Sequence, residues 1–140
     1  MTPPRTSLVI DAPAKVNLYL YVLGRRADGY HDLETWMQKI DLCDRVSLEV
    51  IEGPARVEFA CTADSVPAGP DNLAARAAQA FFAACSPKSD CGIRIALDKQ
   101  IPVAAGLGGG SSDAGAVLRG MNELFGSPLE SDELLRIACT

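Results

Sequence analysis

Residues 102–114 read Pro-Val-Ala-Ala-Gly-Leu-Gly-Gly-Gly-Ser-Ser-Asp-Ala, and this run constrains everything around it. Adjacent glycines lose too much backbone entropy to hold a helix or strand by themselves. Before them lies an alternating segment, Gly92 to Asp98, with Ile93, Ile95 and Leu97 on one side. After them comes a helical stripe of Val117, Leu118, Met121, Leu124 and Phe125, expected to span Ser112 to Phe125. A strand, an amide-rich loop and a helix start, in that order, make an anion site, because unpaired N–H groups and the positive end of the helix dipole converge there. Glycine lets the backbone approach a ligand without a Cβ. Ser111 and Ser112 can cap the helix, touch phosphate or hold Mg²⁺. Asp113 suits the dipole and is expected to face away from the pocket, where it would repel a phosphate.

The loop lacks the Gly-Lys-[Ser/Thr] ending of a Walker A motif. It is not a dinucleotide fingerprint either, since position 111, where the third glycine would fall, is Ser.

The chain's 140 residues suit one domain, and its 48% hydrophobic and 22% charged residues suit a globular one. The formal charge of −5 argues against nonspecific nucleic-acid binding and requires an anionic ligand to be held by local features. Cys43, Cys61, Cys85, Cys91 and Cys139 have neither metal-ligand nor paired spacing, so reduced thiols and a cytoplasmic location are expected. No apolar run is long enough for a signal peptide or a membrane span.

Strand patterns fill the first half: Ser7 to Asp11, Lys15 to Leu23, Leu33 to Ile40, Arg45 to Ile51 and Arg56 to Cys61. In the second, Val16, Leu18, Leu20 and Val22 alternate with Lys15, Asn17, Tyr19 and Tyr21. Trp36 is expected in the core or a pocket wall. A helix is expected over Asp71 to Cys85, a turn over Ser86 to Asp90, and a last helix capped by Ser131 and carrying Leu134, Leu135 and Ile137. Strands first and helices later predict an α+β fold rather than a doubly wound sheet.

The segment Pro102, Val103, Ala104, Ala105, Gly106, Leu107, Gly108, Gly109, Gly110, Ser111 and Ser112 resembles the ATP-phosphate loop of the galactokinase, homoserine kinase, mevalonate kinase and phosphomevalonate kinase (GHMP) superfamily. A second stretch, Ala12-Pro-Ala-Lys15-Val-Asn17-Leu followed by Gly24-Arg-Arg-Ala-Asp-Gly29-Tyr30-His31-Asp-Leu, is similar to the 4-diphosphocytidyl-2-C-methyl-D-erythritol kinase family. The resemblance runs from about Ala12 to the end of the chain.

It implies a domain like domain 2 of ribosomal protein S5, a mixed or antiparallel sheet with helices on one side. It also implies transfer of the γ-phosphate of ATP, with Mg²⁺, to the 2-hydroxyl of a cytidine-diphosphate-linked methylerythritol. By the same resemblance Lys15 is the catalytic lysine, Asn17 lies at the substrate, Tyr30 and His31 recognise the cytosine, residues 102–112 hold ATP, and Asn72 and Lys99 lie near the adenine. Period 2 independently puts Lys15 and Asn17 on one strand face. An isolated strand lysine is ordinarily a solvated charge; the motif is what singles out Lys15.

Family members carry a Gly-Ala-Asp-Val-Pro-like segment, whose Asp is the general base, and a C-terminal domain. Neither is found before Thr140, so residues 1–140 are expected to be the ATP-binding N-terminal domain alone, with little activity in isolation. Another small-molecule kinase of the superfamily and a non-catalytic nucleotide-binding module stay open; a response to cytidine nucleotides separates the first from the expected enzyme.

Overall fold

A computed structural model describes residues 5–67, 69–85 and 90–139. Most of the turn expected at Ser86 to Asp90 lies outside these residues. Two long strands, β1 (Ser7–Arg25) and β2 (His31–Glu52), form an antiparallel hairpin, followed by β3 (Val57–Cys61), α1 (Leu73–Cys85), β4 (Cys91–Asp98), α2 (Gly109–Leu124) and α3 (Ser131–Ala138). The sheet runs β1-β2-β4-β3, antiparallel except for the β3–β4 pair, which is parallel. The fold is α+β, as expected.

Each of the two long strands unites segments that the sequence divides. Pro13 does not end β1, because a register shift falls between Pro13 and Lys15, where an irregular ladder does not need the missing N–H. The Asp41–Asp44 link likewise stays extended within β2.

Alternation settles which face of the sheet is covered. Val46 and Leu48 of β2 and Ile93, Ile95 and Leu97 of β4 are buried, together with Phe81 of α1 and Val117, Leu118 and Met121 of α2. The opposite face is charged: Arg94 donates to Glu49 at 2.7 Å and to Glu58 at 3.0 Å. Gly120 marks the close approach of α2 to the sheet, since a Cβ there would lie 2.4 Å from Leu48 Cδ1 and 2.6 Å from Ile10 Cδ1.

The hairpin departs from expectation. Between Ala14 and Asp44 no residue is buried. Leu18, Leu20 and Val22, expected as a core face, are 60%, 48% and 61% exposed, and Trp36, expected in the core or a pocket wall, is 60% exposed. The ribbon extends beyond the helices that cover the rest of the sheet. A second register shift, between Asn17 and Tyr19, also changes the faces. Asn17 pairs with Met37, whereas Tyr19 pairs with Trp36, so Tyr19 and Tyr21 leave the Lys15–Asn17 face and Leu20 and Val22 join it.

Candidate functional site

The glycine loop joins β4 to α2 and crosses the base of the hairpin. Helix α2 begins at Gly109, earlier than the apolar stripe suggests, after a left-handed Gly108 with φ of 70°. Ser111 and Ser112 therefore lie inside the first turn instead of capping it. The Ser112 N–H makes the first helical bond, to Gly108 O at 3.0 Å. The N–H groups of Gly108 to Ser111 precede that bond, and they have no protein partner among the described residues. They border a cleft of about 380 Å³ lined by residues 102–111, Asn72, Lys99 and Asp113.

Strand β1 is stitched to this loop. The Lys15 N–H donates to Leu107 O at 2.9 Å, and Lys15 Nζ donates to Gly106 O at 2.9 Å. A Cβ on Gly108 would sit 3.1 Å from Lys15 Cγ, so glycine is needed here both for its positive φ and for the lysine stem lying against it. Lys15 Nζ also donates to Asn17 Oδ1 at 2.6 Å, as the period-2 argument requires. Asn17 Nδ2 donates to Thr35 Oγ1 at 2.8 Å, and Thr35 Oγ1 donates to Tyr19 O at 2.6 Å. Thr35 carries no local sequence signal for this contact, because only the pairing of β1 with β2 brings it to Asn17.

Beneath the loop lies a buried ion cluster. Lys99 Nζ bonds both Asp44 and Asp113, the latter at 3.0 Å. The other oxygen of Asp44 accepts from the backbone N–H groups of Gln100 at 2.6 Å and Ile101 at 2.8 Å. Burial alone would raise the Asp44 pKa, but the Ile101 N–H, Lys99 and the Gln100 N–H outweigh it and hold the carboxyl below its ordinary value. Burial works against charge on Lys99 too, yet its two carboxylate partners keep its pKa raised.

Asp113 corrects the expectation that it faces away. It is 2% exposed and points inward, because Lys99 supplies the counter-charge that a solvent-facing carboxylate would not need. Its Oδ1 is buried without a hydrogen-bond partner. Burial pushes its pKa up to about 6; Lys99 offsets this only in part, and Asp44 adds to it.

The remaining site residues divide. Asn72 lines the cleft and caps α1, its Oδ1 accepting from the Ala74 N–H at 2.8 Å. Lys99 lines the cleft, but its ammonium is engaged from below. Ser111 opens on the loop cleft. Ser112 borders a separate groove of about 470 Å³ between β1, α2 and α3. Tyr30 and His31 lie at the far end of the hairpin, where Tyr30 is 75% exposed and His31 pairs with Arg25. Lys15 pairs with Lys39, so His31 lies about 26 Å of strand contour beyond the lysine's partner. These residues do not join the loop cleft.

Residues 72–140 match the family profile described as the GHMP kinases N terminal domain. The chain is 51% identical over 133 residues to 4-diphosphocytidyl-2-C-methyl-D-erythritol kinase of Desulfotalea psychrophila, covering 95% of this chain and 44% of that protein. It is 52% identical over 133 residues to the enzyme of the same name from Geobacter sulfurreducens, covering 95% of this chain and 47% of that protein. It thus spans under half the length of these relatives. Among solved structures, a 4-(cytidine 5'-diphospho)-2C-methyl-D-erythritol kinase superposes with a TM-score of 0.75 at 41% identity, over 94% of this chain and 46% of that one. Homoserine kinase from Cytophaga hutchinsonii superposes with a TM-score of 0.73 over 99% of this chain and 41% of that one, and at 20% identity it speaks for the fold alone.

Proposed function

We propose that the chain is a GHMP kinase N-terminal domain and the ATP-binding part of an enzyme that phosphorylates the 2-hydroxyl of 4-(cytidine 5'-diphospho)-2-C-methyl-D-erythritol in non-mevalonate isoprenoid synthesis, a reading supported by the family profile and the relatives of that name. The observation that carries this reading is the contact of Lys15 Nζ with Gly106 O at 2.9 Å, next to the unpartnered N–H groups of Gly108 to Ser111. A cation and a cluster of fixed amide dipoles at one spot suit a transferring phosphoryl group, whose catalysis is mostly positioning and charge stabilisation.

In this reading the amides of Gly108, Gly109, Gly110 and Ser111 hold the ATP phosphates. Lys15 faces the γ-phosphate, and Asn17 orients the lysine and meets the acceptor alcohol. The alcohol oxygen bonds to the γ-phosphorus as the bond from that phosphorus to the bridging oxygen breaks, and ADP leaves. By the family resemblance, the hydroxyl proton passes to the aspartate of a Gly-Ala-Asp-Val-Pro-like segment, which the 140 residues do not contain. Tyr30 and His31 take the cytosine at the end of the hairpin, and Asn72 and Lys99 border the space for the adenine.

Among the described residues no cluster of His, Cys, Asp and Glu could hold a metal. The Ser111 hydroxyl is a hard oxygen donor on the loop cleft, which fits a Mg²⁺ carried mainly by phosphates. When bound there, Mg²⁺ neutralises charge on the phosphate oxygens. Ser112, on the other groove, does not share that position.

ATP titration of the 140-residue chain should shift the amide resonances of Gly108 to Ser111; unchanged resonances at millimolar ATP would overturn the phosphate-site reading. In a protein of the relatives' length, Lys15→Ala should cut kcat by about 100-fold or more while ATP affinity changes by less than about tenfold. Equal losses in both would make the lysine a binding residue only.

A further inference from the structure

We infer that Thr35 is a positioning residue that fixes which way the Asn17 amide faces, and through it where the Lys15 ammonium points. The inference rests on the role proposed above for Lys15, but its geometry stands alone. A threonine hydroxyl has one proton to donate. Thr35 spends it on Tyr19 O, at 2.6 Å, which can only accept. Toward Asn17, 2.8 Å away, the hydroxyl can therefore only accept. The amide must turn its NH₂ to Thr35 and its oxygen to Lys15, which it meets at 2.6 Å. The reverse orientation would set an amide N–H against an ammonium N–H at one end and leave an amide oxygen facing a hydroxyl without a proton at the other.

The Lys15 ammonium has three N–H donors. Asn17 Oδ1 and Gly106 O take two of them, and no protein acceptor among the described residues takes the third. Two fixed acceptors leave the third donor one direction. The register shift between Asn17 and Tyr19 makes this relay possible, because it places Leu20 rather than Tyr19 opposite Thr35 and brings the Tyr19 carbonyl within reach of the hydroxyl. Thr35 is half-buried, while the residues on either side of it from His31 to Lys39 are exposed.

The test is nitrogen-15 NMR of the Lys15 ammonium and the Asn17 side-chain amide in the 140-residue chain, comparing wild type with Thr35→Val and Thr35→Ser. Loss of one neutral hydrogen bond should speed hydrogen exchange of the Lys15 ammonium by about three- to tenfold in Thr35→Val. The Asn17 NH₂ resonances should move, and Thr35→Ser should restore both. Unchanged ammonium exchange in a folded Thr35→Val would overturn the inference. If Thr35→Val does not fold, Thr35→Ala serves the same comparison, and collapse of both would assign Thr35 to the fold and also overturn it. ATP titration of the same wild-type sample keeps the two readings apart. If Gly108 to Ser111 ignore ATP while the ammonium responds to Thr35, the kinase reading fails and the relay stands.

Discussion

Asp113 is a carboxylate just past the first turn of α2, below a loop built for anions, and its environment resists its charge. Burial lifts its pKa from 3.8 to about 6. The folded state therefore binds more protons than the unfolded state between those values, and this residue's contribution to stability falls as pH rises through the window. A shift of that size corresponds to roughly 3 kcal/mol at most. Asp44 works in the opposite sense: its lowered pKa contributes stability that is lost as pH falls through its folded value. Urea unfolding of wild type and Asp113→Asn across pH 4 to 7 separates the two, since Asp44 is common to both. The wild-type advantage over the variant should shrink by about 1–3 kcal/mol from pH 4 to pH 7; a constant difference would mean that Asp113 does not titrate there. At this scale the sequence is legible where partners are close along the chain. Lys15 and Asn17 stand two apart on a strand, so period 2 places them together. Asp44 carries no such local signal and looks like part of a link between strands, because its partners Lys99, Gln100 and Ile101 follow only after β3, α1 and β4.

Among the elements, the bodies of the helices are legible in the sequence and their ends less so. The body of α1 follows its alanine-rich stripe, and Asn72 provides an ordinary side-chain cap. Helix α3 illustrates the harder case. Ser131 looks like its cap, yet the cap is Glu130, joined to Glu133 in a reciprocal box in which the Glu130 N–H donates to Glu133 Oε2 at 2.9 Å. A glutamate in that role falls outside the usual Ser, Thr, Asp and Asn preference, so residue type pointed one position too far. The two positions should differ on mutation. Glu130→Ala should lower stability by about 0.5–1 kcal/mol, whereas Ser131→Ala should stay within about 0.5 kcal/mol. Thermal melts of both variants decide this, and a larger loss for Ser131→Ala would restore the serine as the cap. Helix α2 teaches the same lesson through backbone conformation. Its start is set by the left-handed Gly108 and not by the first apolar residue, and this places Ser111, rather than Ser112, on the loop cleft.

For the molecule as a whole, the class of fold followed from element order, but the sheet order did not, since β4 inserts between β2 and β3 through contacts distant in sequence. The far hairpin departs from its sequence pattern for a related reason: alternation identifies a face but not what covers it. Beyond Lys15 and Lys39 the ribbon carries Leu20, Val22, Leu33 and Met37 on one face and Tyr19, Tyr21 and Trp36 on the other, each at least 39% exposed. An isolated two-stranded ribbon is marginal in water, and its ladder bonds are open to solvent on both faces. The near half is different, because Ala12, Val46 and Leu48 sit under the helices. One chain should therefore hold two regions of unequal local stability. Hydrogen exchange of the 140-residue chain should find the amides of residues 18–23 and 32–38 exchanging at least about tenfold faster than those of residues 8–12 and 45–50. The difference should persist on dilution. If the far hairpin is instead protected, and loses that protection as concentration falls, its apolar faces are being buried between copies of the chain. That outcome would replace the picture of a solvated ribbon with one of association, in which the apolar faces of two copies pack together.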